Sequence, residues 1–378
     1  MVSTIILTFF LIAVCIQFGY VICFFSRIKA LRKPIVSALE NDRKPVSVLI
    51  CARNEADNLL RNLPQILSQR YIGKNGEPAY EVIVVNDRSD DHSLDVLKAL
   101  TTQYAHLRYI HISSSEKAIW KGKRDALARG MELVQNDWIV FTDADCVPAG
   151  KDWLTYITRP FAEGKEIVCG YGAYKQEKGM LNAMVRCETM HTFLQYSTYA
   201  LAGFPYMAVG RNMACTKTVW MLAQQSDRWN KVISGDDDML IQACATKDNV
   251  AIVAIPESHT YSDAPRNWQA WFRQKKRHMS TGKFYKPVSR ILLSMYAMSH
   301  ACFWIFLIPL LIHAKYFYVA VVFGVLRWLL YGNIWKQLVN VTQEKGLQFC
   351  FWVFDPLWLL YNFVLSPYII FKNKQHWK

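Results

Sequence analysis

No charged side chain occurs between Val2 and Phe25. That run constrains the chain more than any other feature. A helix rises about 1.5 Å per residue and a bilayer core is roughly 30 Å thick, so the run is long enough to cross. Arg27, Lys29, Arg32 and Lys33 follow it at once. A cleaved leader carries its basic residues before the apolar core and small residues after it. Here the order is reversed. Residues 1–26 therefore read as an uncleaved anchor with its downstream side in the cytoplasm, followed by a basic juxtamembrane linker over 27–44.

Apolar character returns at the other end. Ile291 to Ile312 is a second span. Tyr316 to Trp335 is a third that carries Arg327, and Leu347 to Phe371 is a fourth broken by Asp355-Pro356. Charges in lipid are costly unless they face protein, water or each other. Four full crossings would put Lys372, Lys374 and Lys378 outside, against the positive-inside rule. A re-entrant or interfacial segment within 286–378 removes the conflict. The expectation is an integral protein of a cell inner membrane.

Between these ends, residues 45–285 change pattern. Val46 to Ala52, Glu81 to Asn86, Leu107 to Ile112 and Trp138 to Thr142 are short apolar runs with strand character. Glu55 to Ser68, Asp91 to Gln103 and Lys123 to Val134 have helical spacing. Alternating strands and helices give a mostly parallel, Rossmann-like α/β sheet, which binds ligands at the carboxyl ends of its strands. Arg53-Asn54-Glu55, Asn86 to Ser89 and Asp143-Ala144-Asp145 all fall at that edge. Asp90 and Asp91 are expected to cap the second helix.

No GxGxxG follows the first strand, which argues against a dinucleotide site. A diphosphate would need another neutraliser, and Asp-x-Asp can hold Mg²⁺ or Mn²⁺ through hard oxygen ligands. The formal net charge of +14 suits phosphorylated small molecules or an anionic leaflet. With no basic reading helix, nucleic acid is not an expected partner. The ten cysteines form no CxxC pair and read as buried small apolar groups in a reducing compartment. His191 and His259 read as structural. Leu181 to Tyr206 reads as domain core rather than a lipid floor. Trp268, Trp271 and Phe272 beside Arg273, Lys275 and Lys276 suit either a bilayer interface or a helix packed on the sheet.

Together these residues resemble the family-2 glycosyltransferases, inverting enzymes of the GT-A fold. The pieces are Cys51 to Glu55, Val84 to Ser89, Gly122 to Leu127, Asp143-Ala-Asp145, Gly210 to Ala214, Gly235-Asp-Asp237 and Gln274 to His278, in family order. The resemblance implies a nucleotide-sugar donor, a UDP-sugar, bound by Ala52, Arg53, Glu55, Asp87, Lys123, Asp143, Gln274 and Arg277. It implies a divalent metal, Mg²⁺ or Mn²⁺, on Asp143 and Asp145, and an acceptor side formed by Gly210, Arg211, Asn212 and His278. Asp237 would be the general base, with Asp236 supporting it. The membrane-flanked layout is similar to members that act on lipids or lipid-linked acceptors.

His278 departs from the family, whose QxxRW motif ends in Trp. An imidazole offers less stacking area, which favours a single transfer over a processive polysaccharide synthase. A nucleotidyltransferase or an inactive membrane scaffold remain readings from other classes. The run Gly235 to Asp238 also has a plain structural explanation, because acidic residues favour a helix N-terminus. Asp238, outside the motif, is expected to cap or to face solvent.

Overall fold

The computed structural model describes residues 2–32, 43–120, 122–226, 229 and 235–370. Lys33 and most of the basic linker, Val232 to Ser234, Phe371 and the tail lysines lie outside the described residues.

Helix α1 (Val2–Cys23) runs into a 3-10 turn, Phe25–Arg32. The alternating region follows: β1 (Val46–Ala52), α2 (Ala56–Leu67), β2 (Tyr80–Asp87), α3 (Ser93–Thr101), β3 (Leu107–Ile112), α4 (Lys123–Leu133) and β4 (Trp138–Asp143). Every residue of β1 and β2 is buried, as expected of parallel strands covered on both faces. Val48, Ile50, Val82 and Val84 pack with Leu59, Leu63 and Leu97 on one face. Leu49, Ile83 and Val85 pack with Leu127 and Met131 on the other.

The rest is β5 (Val147–Pro148), α5 (Trp153–Ala162), β6 (Ile167–Gly170), β7 (Gly172–Tyr174), α6 (Met180–Leu201), β8 (Met213–Thr216), α7 (Lys217–Gln224), α8 (Asp236–Cys244), β9 (Val250–Val253), β10 (Thr260–Ser262), α9 (Trp268–Met279), α10 (Pro287–Ile312), α11 (Phe317–Thr342), α12 (Phe351–Leu365) and α13 (Pro367–Ile370). The main sheet has seven strands in the order β3-β2-β1-β4-β8-β6-β9, and a second sheet runs β5-β10-β7. The β3-β2-β1-β4 half is parallel, and β8 is antiparallel to both β4 and β6.

Helix α6 is core: Met190, Phe193 and Tyr199 are fully buried. On α9, Trp271 packs into a small core with Tyr174 and Val185, and Lys275 is buried in an ion pair with Glu188. That half of α9 is therefore packed on protein, whereas Arg273 is exposed.

Among the described residues, three stretches are long and apolar enough to cross a membrane: Ser3–Arg32, Pro287–Ile312 and Phe317–Thr342. The expected fourth span holds the 15-residue α12 and the short α13, and among the described residues α12 by itself is too short to cross. The expected break at Asp355-Pro356 is absent, since α12 continues through both residues. Neighbouring helices satisfy the polar groups there. Asp355 receives Arg327 Nη1 at 2.7 Å and Nη2 at 3.0 Å, and Trp304 Nε1 at 3.2 Å; His300 Nε2 lies 3.2 Å away. Arg327 Nη2 also donates to Gln17 Oε1 at 3.1 Å. The charge in the third span thus faces its partner, and one polar knot ties α1, α10, α11 and α12.

Candidate active site

The sheet topology assembles the site. Cys51 on β1 pairs with Asp143 on β4, and Ala52 pairs with Asn86 on β2. Arg53, Asp87 and Asp143 therefore emerge at one edge. Because β8 runs antiparallel to β4, with Met213 opposite Phe141, the segment just before β8 arrives at the same edge. That segment is Gly210-Arg-Asn212.

The loops after β1 and β2 are zipped together. Asn54 N donates to Ser89 Oγ at 3.0 Å, and Asp90 N donates to Asn54 Oδ1 at 2.8 Å. Asp91 accepts from Ala56 N at 2.9 Å and Ser93 N at 3.0 Å, so it serves the starts of both α2 and α3. The expected capping by Asp90 and Asp91 thus narrows to Asp91, while Asp90 contributes its backbone N–H. Asn54 and Arg88 hold left-handed backbones, φ 55° and 51°. Such strain concentrates at functional edges. Arg88 binds Asp87 and reaches Asp125 Oδ2 at 2.9 Å. Asp87 is only 1 % exposed, so it meets a ligand only if the Arg88 guanidinium yields. Glu55 is half-buried at the start of α2.

Beyond β4, one oxygen each from Asp143 and Asp145 and the Cys146 sulfur lie within 4.8 Å of one another. Burial raises the Cys146 thiol, and Asp145 and Asp143 raise it further, so it stays protonated and donates to Asp145 Oδ1 at 3.3 Å. The available ligands are then hard carboxylate oxygens, a set that fits Mg²⁺ or Mn²⁺. Lys123, the first residue of α4, binds Asp143 Oδ1. Asp143 is half-buried, with 37 % of its side chain reaching solvent. Protein packed around it raises its carboxyl; Lys123, Arg211 and Arg277 more than reverse this, and it titrates below the usual value. Asp145 moves up, through burial and then Asp143.

Asn267 caps α9 through Ala270 N at 2.8 Å, and the helix presents Gln274 and Arg277 one turn apart. Gln274 Nε2 donates to Tyr174 Oη at 3.1 Å. Gln274 Oε1 and Arg277 Nε are buried without hydrogen-bond partners among the described residues. Orphan groups of this kind are costly unless a ligand satisfies them. His278, next on the helix, is exposed.

The acidic triplet opens α8. Gly235 takes φ 87° and a Cβ there would meet Thr281 Cγ2 at 2.5 Å, so glycine is required. Asp237 Oδ2 accepts from Gly210 N at 2.8 Å, and Oδ1 accepts from Asp238 N at 3.0 Å. Burial and then Asp236 push the Asp237 carboxyl up to about 6, against the pull of those two amides and Lys123. Asp238 contradicts its expectation. It is only 6 % exposed and accepts from Thr281 Oγ1 at 3.1 Å and Tyr285 Oη at 2.5 Å. Burial and then Asp237 raise its carboxyl well above the usual value, against the pull of Tyr285 and Thr281. Four residues on, Gln242 Oε1 accepts from Lys286 N at 2.7 Å. Helix α8 is thereby bolted to the root of α10.

Two acceptor-side expectations change. Asn212 is fully buried and donates to Tyr171 O and Ser258 O, each at 2.8 Å, while accepting from Trp153 Nε1 at 3.0 Å. It can touch no acceptor and instead pins the loop. Arg211 lies 4.2 Å from the Tyr174 ring centroid and donates to Gly172 O, as a counter-charge to Asp143 and Asp145. Sequence reasoning missed Tyr174, which holds both Arg211 and Gln274. It also missed Cys146, although its adjacency to the DxD was visible.

A half-parallel sheet with DxD at its central edge and an acidic helix start across it defines a GT-A-type nucleotide-sugar transferase fold. Mannosyltransferase PcManGT from Pyrobaculum calidifontis, solved with GDP-Man and Mn²⁺, shares it: TM-score 0.56, 16 % identity, 94 % of this chain and 99 % of that one. Residues 43–281 match the family described as glycosyltransferase like family 2, and the chain belongs to that family. It is 25 % identical over 241 residues to "Probable glycosyltransferase YdaM" of Bacillus subtilis, covering 61 % of this chain and 54 % of that one. Over 138 residues it is 29 % identical to a beta-monoglucosyldiacylglycerol synthase of Trichormus variabilis, covering 36 % and 27 %. The chain thus spans about half the length of YdaM and less of the synthase.

Proposed function

We propose that this chain is an inverting glycosyltransferase that moves a single sugar from a nucleotide-sugar donor, a UDP-sugar, to a membrane lipid or lipid-linked acceptor. One observation carries the reading. The Gly210-Arg211 segment links the two carboxylate groups, which supports one shared site: Thr142, next to Asp143, donates to Arg211 O at 3.0 Å, and Gly210 N donates to Asp237 Oδ2 at 2.8 Å.

A divalent ion on Asp143 and Asp145 would supply Lewis-acid neutralisation of the leaving diphosphate. The chain's own cations do the rest. Lys123 and Arg277 face that charge; Arg277 Nε can donate to it, and Gln274 Oε1 can accept from a donor hydroxyl. Ala52, Arg53, Glu55 and Asp87 line the donor edge. Asp237, held near 6 and ionised at neutral pH, takes the proton from the acceptor hydroxyl. The acceptor oxygen bonds to the anomeric carbon as the bond to the diphosphate oxygen breaks, and nucleoside diphosphate leaves. The Gly210 and Asp238 amides aim the base. Asp236 supports it by raising its proton affinity.

The three spans and the bolt between α8 and α10 support a membrane acceptor, as does the lipid product in the name of one relative. Two crossings, α10 and α11, separate the catalytic region from α12, so the chain returns to the catalytic side before α12. The basic residues after α1 favour the cytoplasm for that side.

The full chain in lipid nanodiscs should release nucleoside diphosphate from one UDP-sugar, in the presence of Mg²⁺ or Mn²⁺, and yield lipid carrying one added sugar. A ladder of products would favour the processive synthase, and pyrophosphate release the nucleotidyltransferase. No turnover across a panel of donors and lipids would sink the reading.

A further inference from the structure

A second polar site lies away from the cleft. Lys29 and Arg32 of the 3-10 turn face Asn333, Lys336, Gln337 and Asn340 of α11 across an open pocket of about 760 Å³. The α11 residues sit at i, i+3, i+4 and i+7, one face of the helix. Among the described residues, no carboxylate lines the pocket. Gln337 is only 7 % exposed, yet its Oε1 has no hydrogen-bond partner among the described residues. A buried acceptor on the pocket wall calls for a donor.

The pocket has a defined height. Lys29 and Arg32 end the first membrane-crossing stretch. The last turn of α11 is held to the catalytic region by Glu344, which accepts from Arg186 Nε and Tyr171 Oη, each at 2.7 Å. Both walls therefore end on the catalytic side, where a lipid headgroup would lie.

We propose that this pocket binds the headgroup of an anionic glycerophospholipid. The phosphodiester sits among Lys29, Arg32 and Lys336, and a headgroup hydroxyl donates to Gln337 Oε1. Three cations with one buried acceptor suit a group that is both anionic and hydroxylated, and basic pockets between spans suit anionic headgroups. The site is separate from sugar transfer and does not depend on that reading.

The test needs no turnover. Full-length protein is prepared in nanodiscs of phosphatidylcholine with phosphatidylglycerol or phosphatidylmethanol, and retained lipid is counted by mass spectrometry. The wild-type protein should retain phosphatidylglycerol over phosphatidylmethanol, which has the same charge and no free hydroxyl. A Lys29→Gln, Arg32→Gln, Lys336→Gln variant should lose retention by about fivefold per charge. Gln337→Leu keeps the charges and should abolish the preference between the two anionic lipids. Melting temperature checks the fold of each variant. Unchanged retention in the triple variant overturns the proposal. So does an equal loss when Lys276, Lys283 and Lys345 are neutralised instead. Soluble glycerol 3-phosphate or inorganic phosphate binding as tightly as the lipid would identify a free phosphate as the ligand and overturn the lipid assignment.

Discussion

The membrane bundle and the candidate active site treat their carboxylates in opposite ways. In the membrane bundle, Asp355 is saturated by two bonds from Arg327, with His300 and Trp304 alongside. In the catalytic cleft, Asp143 shares one lysine, Asp145 leans on a thiol, and the facing Arg277 and Gln274 keep unsatisfied atoms. The first arrangement is closed and holds helices together. The second is open and has valence to spare for a ligand.

The contrast can be broken from either side. The largest effect is expected in the cleft: Asp237→Asn should lower turnover by about 10²–10⁴-fold while nucleotide binding and melting temperature hold. Retained turnover would remove Asp237 as the base. In the bundle, Arg327→Met strands Asp355 and should cost about 3–5 kcal/mol in detergent unfolding. Adding Asp355→Leu should recover most of that loss. If the double variant is no better than the single one, the knot is not a closed pair.

A smaller effect concerns pH. The base must be ionised, so kcat/KM should fall about tenfold per unit below the Asp237 value of about 6. Asp236→Asn removes the negative neighbour that helps raise it, so this limb should shift to lower pH. A shift upward would contradict the assigned cause. Smallest is Asp238→Ala, which deprives Thr281 and Tyr285 of their acceptor and should cost about 1–3 kcal/mol by thermal or chemical unfolding. No change in stability would restore the solvent-facing reading of Asp238.

How much of this was legible depended on range. The strands from β1 to β4 match their expected limits to within one residue, because apolar runs of six to eight residues alternate with helical spacing. Strands β5 to β10 have two to four residues each, too few to show a period. The Asp143-Ala-Asp145 cluster could be placed at the sheet edge because Asp143 ends β4 and Asp145 follows two residues on. Asp238 was misread because its partners stand 43 and 47 residues away. Asn212 was misread for the same reason: a polar residue beside a site looks like a ligand contact until three distant groups bury it. Pro356 looked like a helix end, since a local rule cannot see that neighbouring helices secure its surroundings.

The bolt from α8 to α10 has a consequence for how such a catalyst would find its acceptor. Asp238 and Gln242 fasten the base-bearing helix to residues 281–286, and Pro287 opens the next membrane span. Under the proposed reading, the base then has a fixed working height above the bilayer. The encounter with a lipid becomes a lateral search in two dimensions, and lipids whose hydroxyl sits at another depth are excluded by geometry before any chemistry selects among them.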